Sequence, residues 1–222
     1  MLILGIDDAG RGPLIGPMIL AGVLIDKNGE GFLRKYGITD SKMISHPKRI
    51  EMAKIIKESA ISYYTARTLP KEIDRAITTG TNLNTLEAIK TAEIVNALNT
   101  GKDKIKVIVD CPSVNIGAWK KTLLGYIEKK DNLDVVCEHK ADANYIAVSA
   151  ASIIAKVSRE EEVEKIKKEF GDIGSGYPSD PRTKDFLIKN GKRLSDSGIF
   201  RKTWQTWKKV FPGNEQATLK GF

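Results

Sequence analysis

Cysteine is scarce in this 222-residue sequence: Cys111 and Cys137 stand far apart, without CxxC spacing. That excludes a disulfide framework and a cysteine-built metal site, and it leaves two buried thiols in a reducing cytoplasm as the expectation. No apolar run approaches the ~20 residues needed to span a bilayer. The N-terminal run ends at Asp7, which is too soon for the apolar region of a signal peptide with its flanks. Internal repeats, low-complexity tracts and long basic tracts are also missing. What is present is a moderately basic chain, with 36 Lys and Arg against 28 Asp and Glu, a net charge of +8 and a pI near 9.3. Because the lysines are dispersed, a folded face for a polyanion fits better than a disordered arm. With 41% hydrophobic residues, the chain can bury one substantial core, so a single domain with a small appendage is expected rather than a separate nucleic-acid-binding domain.

Apolar or β-branched runs bounded by turn residues predict strands over Leu2–Asp7, Met18–Ile25, Ile61–Thr68, Lys106–Val109 and Leu133–Glu138. Helical spacing of apolar residues predicts helices over Pro47–Ser59, Asn82–Leu98, Ile116–Lys129, Asn144–Lys156 and Arg159–Phe170. A turn-rich segment between the first two strands implies an antiparallel pair, whereas the later strands alternate with helices as parallel units do. The fold class is therefore α/β, a mixed sheet flanked by helices. Gly171 to Pro181, rich in glycine and proline, opens a C-terminal extension, and Trp204 and Trp207, spaced i,i+3, are expected to anchor its last helix in the core.

The most informative run is Ile6-Asp7-Asp8-Ala9-Gly10-Arg11-Gly12-Pro13. Adjacent carboxylates at a strand end repel unless they are protonated, solvated or neutralised, and oxygen clusters suit hard cations. Side chains alternate along a strand, so Asp7 and Asp8 share one site only if regular pairing ends about there. Gly10 and Gly12 permit positive φ and close approach of a ligand, so their amides could cradle a phosphate or meet a sugar hydroxyl; a plain tight turn explains them equally well. Asp110 closes the apolar run Val107-Ile108-Val109, at a strand end of the kind where open α/β sheets place ligands. Asp142 precedes an Ala- and Ile-rich helix and reads either as its cap or as a ligand. His139 is assigned to packing at a strand edge.

Together with six further ordered motifs, this run resembles the signature of ribonuclease HII. The motifs are Thr39-Asp40-Ser41-Lys42, Asn82-Leu83-Asn84, Val107-Ile108-Val109-Asp110, Lys140-Ala141-Asp142-Ala143, Ser149 through Arg159, and Ser175-Gly176-Tyr177-Pro178-Ser179-Asp180-Pro181. The resemblance implies a ribonuclease H-like fold, a five-stranded mixed sheet with a small helical C-terminal extension. It also implies an endonuclease that hydrolyses RNA in RNA-DNA hybrids and cuts 5′ of ribonucleotides embedded in duplex DNA, leaving a 5′-phosphate and a 3′-hydroxyl. Asp7, Asp8, Asp110 and Asp142 would hold two divalent cations, Mg2+ or Mn2+, with Asp7 bridging both. The backbone of Gly10, Arg11 and Gly12 would sense the 2′-hydroxyl, Tyr177 would stack on the following sugar, and Lys42, Asn82, Lys156 and Arg159 would contact phosphates. Read singly, Tyr177 is also loop packing and Asn82 a helix cap. One departure stands out. The family's first motif usually reads Asp-Glu where this chain has Asp7-Asp8, and the shorter side chain gives up roughly 1 Å of reach.

The resemblance places the protein in ribonucleotide excision repair and primer removal. Its competitors are a non-catalytic hybrid-binding protein and another phosphoryl-transfer enzyme on the same scaffold. Gln216, Leu219 and Phe222 in the tail resemble the peptide by which replication and repair enzymes dock on a sliding clamp; a 3₁₀ turn would bring Leu219 and Phe222 to one side. The expected organisation is a catalytic domain over 1–170, a helical extension over 171–211 packed on it, and a tail over 212–222, in a cytoplasmic monomer with no membrane association.

Overall fold

The strand β2 (Met18–Ile25) is apolar at every position and lies buried at every position, as a strand with covered faces must. It pairs antiparallel with β1 (Leu2–Ala9) on one side and with β3 (Ser62–Thr68) on the other. β1 pairs in parallel with β4 (Ile105–Asp110), and β4 in parallel with β5 (Leu133–Glu138). The order β3-β2-β1-β4-β5 is the five-stranded mixed sheet expected from the sequence. These strands are seen in a computed structural model that describes residues 1–38 and 45–212. The helices are α1 (Lys27–Lys35), α2 (His46–Ser59), α3 (Pro70–Thr78), α4 (Leu83–Leu98), α5 (Ile116–Tyr126), α6 (Ala141–Asn144), α7 (Ile146–Phe170), α8 (Pro181–Asn190) and α9 (Gln205–Val210).

Alternation along β1, β2 and β4 sorts the core. Leu4, Ile6, Val107 and Val109 face a cluster built with α4 and α5, while Ala9, Ile19, Ala21 and Val23 face α7 and α2. α7 lies directly on β1 because both surfaces are small. A Cβ on Gly5 would sit 2.1 Å from the Ala147 carbonyl carbon, and Ala147, Ala150 and Ala151 are buried on that side of the helix. A third cluster joins Leu14 and Ile15 to Val163 of α7 and to Phe186, Leu187, Phe200 and Trp207 of the extension.

Several details differ from the sequence reading, among them α3, which is not among the expected helices, and α5, which stops at Tyr126 rather than Lys129. The two helices expected around Ser158 are one 25-residue helix, α7, because neither glycine nor proline interrupts it and a lone serine costs little in a packed helix. α1 forms although Gly29 and Gly31 argue against a helix there, capped by Asp26, whose Oδ1 accepts from the Gly29 amide at 2.7 Å. Trp207 anchors the extension, its ring centroid 5.1 Å from that of Phe200. Trp204 is partly buried against the same cluster, as expected, and in addition sends its indole N–H to the Gly12 carbonyl, 3.1 Å away.

Candidate active site

Parallel pairing of β1 and β4 ends at Ile6 and Val109, which leaves Asp7 and Asp110 side by side at the carboxyl ends of the two strands. Asp142 reaches the same place from the first turn of α6, after Lys140 has turned the chain through a left-handed conformation (φ 58°). One carboxylate oxygen from each of Asp7, Asp110 and Asp142 lies within 4.8 Å of the other two. Asp142 is therefore inside the helical turn rather than its N-cap, and the Ala141 amide donates to Asp110 Oδ1 at 3.4 Å, which ties the turn to β4. Asp7 accepts from the Asp8 amide at 2.7 Å and shares a hydrogen bond with the buried Ser152 hydroxyl of α7. Burial, followed by the charges of Asp8 and Asp110, pushes the Asp7 carboxyl up to about 8. Such a carboxyl keeps most of its proton at neutral pH, and a bound cation would displace that proton.

Asp8 does not join that group. Regular pairing continues through Asp8 with Leu20 and Ala9 with Ile19, so the expected break between the two aspartates does not occur and their side chains take opposite faces. Asp8 lines a small cavity with Glu87, Thr91 and Trp119 of the α4 and α5 side, and Asp7 and Asp110 border the same cavity, so Asp8 stands beside the carboxylate group without an oxygen inside it. Burial raises it to about 6, opposed chiefly by the Arg11 guanidinium. Glu87, 1% exposed, is ion-paired with Arg11, and burial together with the charge of Asp8 pushes it up to about 8. Arg11 also donates to Asn84 Oδ1 at 2.7 Å.

A groove of about 420 Å³ runs past Asp8 and Gly10 to Gly12 and is bordered by Arg49, Lys156, Arg159 and Tyr177. It unites six of the residues expected to bind substrate, namely Gly10, Arg11, Gly12, Lys156, Arg159 and Tyr177. Within it, Gly10 holds φ +84°, and a Cβ there would strike the Arg159 side chain at 2.5 Å. Arg159 is 9% exposed, donates to the Ser175 carbonyl at 3.0 Å and lies 5.0 Å from the Tyr177 ring centroid, so it props the tyrosine at the groove wall. Asn82 is elsewhere: its Oδ1 accepts from the Thr85 amide at 2.9 Å and caps α4. His139 meets the Cys111 carbonyl at 2.9 Å, the strand-edge role expected of it. Lys42, Gln216, Leu219 and Phe222 lie outside the described residues.

Two residues beside the site escaped the sequence reading. Glu87 was detectable, since a charged side chain on the same stripe of α4 as Leu83, Thr91 and Ile94 is out of place unless it is paired. Arg201, 0% exposed, gave no such signal, because its partners are backbone carbonyls nearly the whole chain away. Among the described residues no helix is long and apolar enough to cross a membrane, and both cysteines are buried and unlinked.

Comparison with known proteins bears on this geometry. A family model described as ribonuclease HII matches residues 4–207. Ribonuclease HII of Methanocaldococcus jannaschii is 38% identical, over 99% of this chain and 99% of that protein. The crystal structure of ribonuclease H2 from Pyrococcus horikoshii OT3 superposes with a TM-score of 0.85 at 40% identity, covering 95% of this chain and 97% of that one. The ribonuclease HII solved as a complex with PCNA from Archaeoglobus fulgidus gives a TM-score of 0.81 at 37% identity, over 92% of this chain and 96% of that one.

Proposed function

This chain belongs to the ribonuclease HII family and is a metal-dependent ribonuclease H, and we propose that it cuts endonucleolytically on the 5′ side of a ribonucleotide, leaving a 5′-phosphate and a 3′-hydroxyl. The observation that carries the reading is the convergence of carboxylate oxygens from Asp7, Asp110 and Asp142 within 4.8 Å. An all-oxygen donor set of this kind suits Mg2+ or Mn2+. When bound, two such ions supply a polarised water and charge neutralisation on both sides of the scissile phosphate. Asp7, Asp110 and Asp142 would hold the ions, with Asp8 contributing from the other face of β1. Ser152 holds the Asp7 carboxyl in place through its hydroxyl.

The groove supplies recognition. Backbone groups of Gly10, Arg11 and Gly12 read the 2′-hydroxyl, which both donates and accepts a hydrogen bond. Tyr177, supported by Arg159, packs on the sugar of the following nucleotide and favours a deoxyribose there. Lys156 and Lys42 contact phosphates, so binding weakens steeply as salt rises. Substrates are RNA-DNA hybrids and duplex DNA carrying ribonucleotides, which places the enzyme in ribonucleotide excision repair and primer removal as a cytoplasmic monomer. Residues 1–170 act as the catalytic domain and 171–211 as an extension of it. The tail over 212–222 docks on a sliding clamp through Gln216, Leu219 and Phe222, a reading supported by the Archaeoglobus relative having been solved in complex with PCNA. Titrating a sliding clamp with this protein and with Phe222→Ala checks the last point; equal heats, or none from either, reject it.

One gel tests the activity. Duplex DNA with a single embedded ribonucleotide should be cut on its 5′ side when magnesium or manganese is present and left whole without either. An all-DNA duplex should stay intact throughout. Metal-independent cutting, or cutting of the all-DNA duplex, would overturn the assignment.

A further inference from the structure

We propose that Arg201 is a positioning residue for the sugar-reading loop, with Trp204 as its partner: together they hold the carbonyls of residues 10–12 from behind and so aim the loop's amides at the substrate. The inference rests on the reading of Gly10 to Gly12 as the hydroxyl sensor. Arg201 Nη2 donates to the Gly10 carbonyl at 2.6 Å and Nη1 to the Arg11 carbonyl at 2.7 Å, while Nε and Nη2 reach the Gly16 carbonyl at 3.1 and 3.0 Å. Trp204 Nε1 donates to the Gly12 carbonyl at 3.1 Å, and its ring centroid lies 5.0 Å from the Arg201 guanidinium carbon. Every carbonyl from Gly10 to Gly12 is thus taken by a side chain of the extension.

The consequence follows from peptide geometry. A planar trans peptide points its N–H opposite to its C=O, and none of the bonds here is cis. Fixing the Gly10 carbonyl fixes the Arg11 amide, and fixing the Arg11 carbonyl fixes the Gly12 amide; both amides face away from Arg201. A glycine-containing loop has the most freedom to wander from such a pose, so the fork of the guanidinium matches the part of the loop that needs restraint.

Anchoring of the loop to the body is shared between backbone and side chain: the Arg201 amide donates to the Leu14 carbonyl at 2.9 Å whatever its side chain, so a substitution at 201 keeps that tie. Leu14 donates to the Gly176 carbonyl at 2.8 Å, Gly16 to the Ile199 carbonyl at 2.9 Å, and Leu14 and Ile15 sit in the apolar cluster of the extension. Arg201 is itself pinned from the far side. Asp74 of α3 accepts from the Lys202 and Thr203 amides at 2.8 and 2.9 Å and from the Thr203 hydroxyl at 2.6 Å. Sequence positions 74, 201 and 204 thereby converge on residues 10–12, and a buried cation is spent on the sensor rather than on the core.

The experiment measures kcat and KM of the metal-loaded full chain on duplex DNA with one ribonucleotide, and on the same duplex with a 2′-fluoro nucleotide in its place. The ratio of kcat/KM values reports the reading of the hydroxyl. Arg201→Lys keeps the charge but loses the fork, and it should lower that ratio about tenfold, mainly through kcat. Trp204→Phe keeps the ring but loses one donor and should lower it about threefold. A fall in rate that is equal on both substrates, with the ratio unchanged, overturns the proposal; if Arg201→Lys fails to fold, an unchanged ratio in Trp204→Phe overturns it alone. A wild-type enzyme indifferent to the 2′ substituent would remove the sensor reading and this inference with it, a result distinct from selective wild type and equally selective variants.

Discussion

Consecutive aspartates at the end of β1 face opposite sides of the sheet, and the two sides have been furnished differently. On the α7 side, Asp7 meets Asp110 and Asp142, all carboxylates, with a serine hydroxyl and backbone amides as supports. On the α4 side, Asp8 meets another buried carboxylate, Glu87, but here Arg11 is ion-paired to the glutamate and lowers the cost of both acids. Burial raises Asp7, Asp8 and Glu87 alike, so a displaced pKa does not by itself separate a cation site from a structural pair. What separates them is convergence: three ligand oxygens directed at one point on the first side, and a carboxylate directed at a guanidinium on the second.

The sharpest way to break this contrast is to neutralise each acid. Asp7→Asn or Asp110→Asn should cost ~1000-fold or more in kcat/KM on the single-ribonucleotide duplex, with the circular dichroism unchanged, because each removes a charge aimed at the metals. Asp8→Asn should cost roughly 10- to 100-fold, the scale of a supporting group. Equal losses at positions 7 and 8 would show that Asp8 works inside the cage and that alternation along β1 misleads. A stability effect of comparable size is expected from Gly5→Ala. Its methyl would meet the Ala147 backbone at 2.1 Å, so α7 must shift, at a cost of about 3 kcal/mol in urea denaturation, and the Ser152 support moves with it.

The pH dependence of the metal-free protein sharpens the comparison next. A carboxyl raised in the folded state binds its proton more tightly there than in the unfolded chain. Its contribution to stability is therefore complete below the unfolded value and is lost as pH rises through the folded one. For Asp7 and Glu87, both pushed up to about 8, the window runs from about pH 4 to 8. Melting of the metal-free protein should fall across it, and Asp7→Asn and Glu87→Gln should each flatten the fall. Adding magnesium or manganese at pH 8 should raise the melting temperature of wild type and Glu87→Gln by several degrees, and leave Asp7→Asn nearly unmoved. A metal response in all three proteins would mean that the cation is held elsewhere.

How much of this is legible in the sequence depends on range. β2 and β5 end where the apolar runs end, and the position of Asp110 at the terminus of β4 follows from the turn residues placed just beyond it. Local signals of this kind are written within a few residues. The break expected between Asp7 and Asp8 failed because antiparallel pairing with β2 carries on to Ala9, and nothing inside the tripeptide records what the neighbouring strand does. α1 failed for a related reason, its glycines outweighed by a cap at Asp26 and by Leu33 buried beneath it. Arg201 lies at the far limit, since its meaning resides in carbonyls some 190 positions earlier. Between these extremes stands Glu87, visible as a misplaced charge on an apolar helix face but not assignable until Arg11 was seen beside it.

The smallest effect concerns the start of α4, the helix that carries Asn84 and Glu87 to the paired side. Asn82 stands in a motif position suited to phosphate contact, yet its oxygen accepts the Thr85 amide at 2.9 Å and satisfies an otherwise unpartnered helix N–H. Asn82→Ala should therefore cost about 1 kcal/mol, a drop of roughly 2–4 °C for a chain of this size. Asn82→Asp separates the two roles, because an aspartate caps as well as asparagine and favours the positive end of the helix dipole, while repelling a phosphate. Full melting temperature with an unchanged KM would make Asn82 a cap and nothing more. Full melting temperature with a KM that climbs steeply at low salt would return it to the substrate groove, and would extend that groove onto the side of the sheet where carboxylates are paired rather than caged.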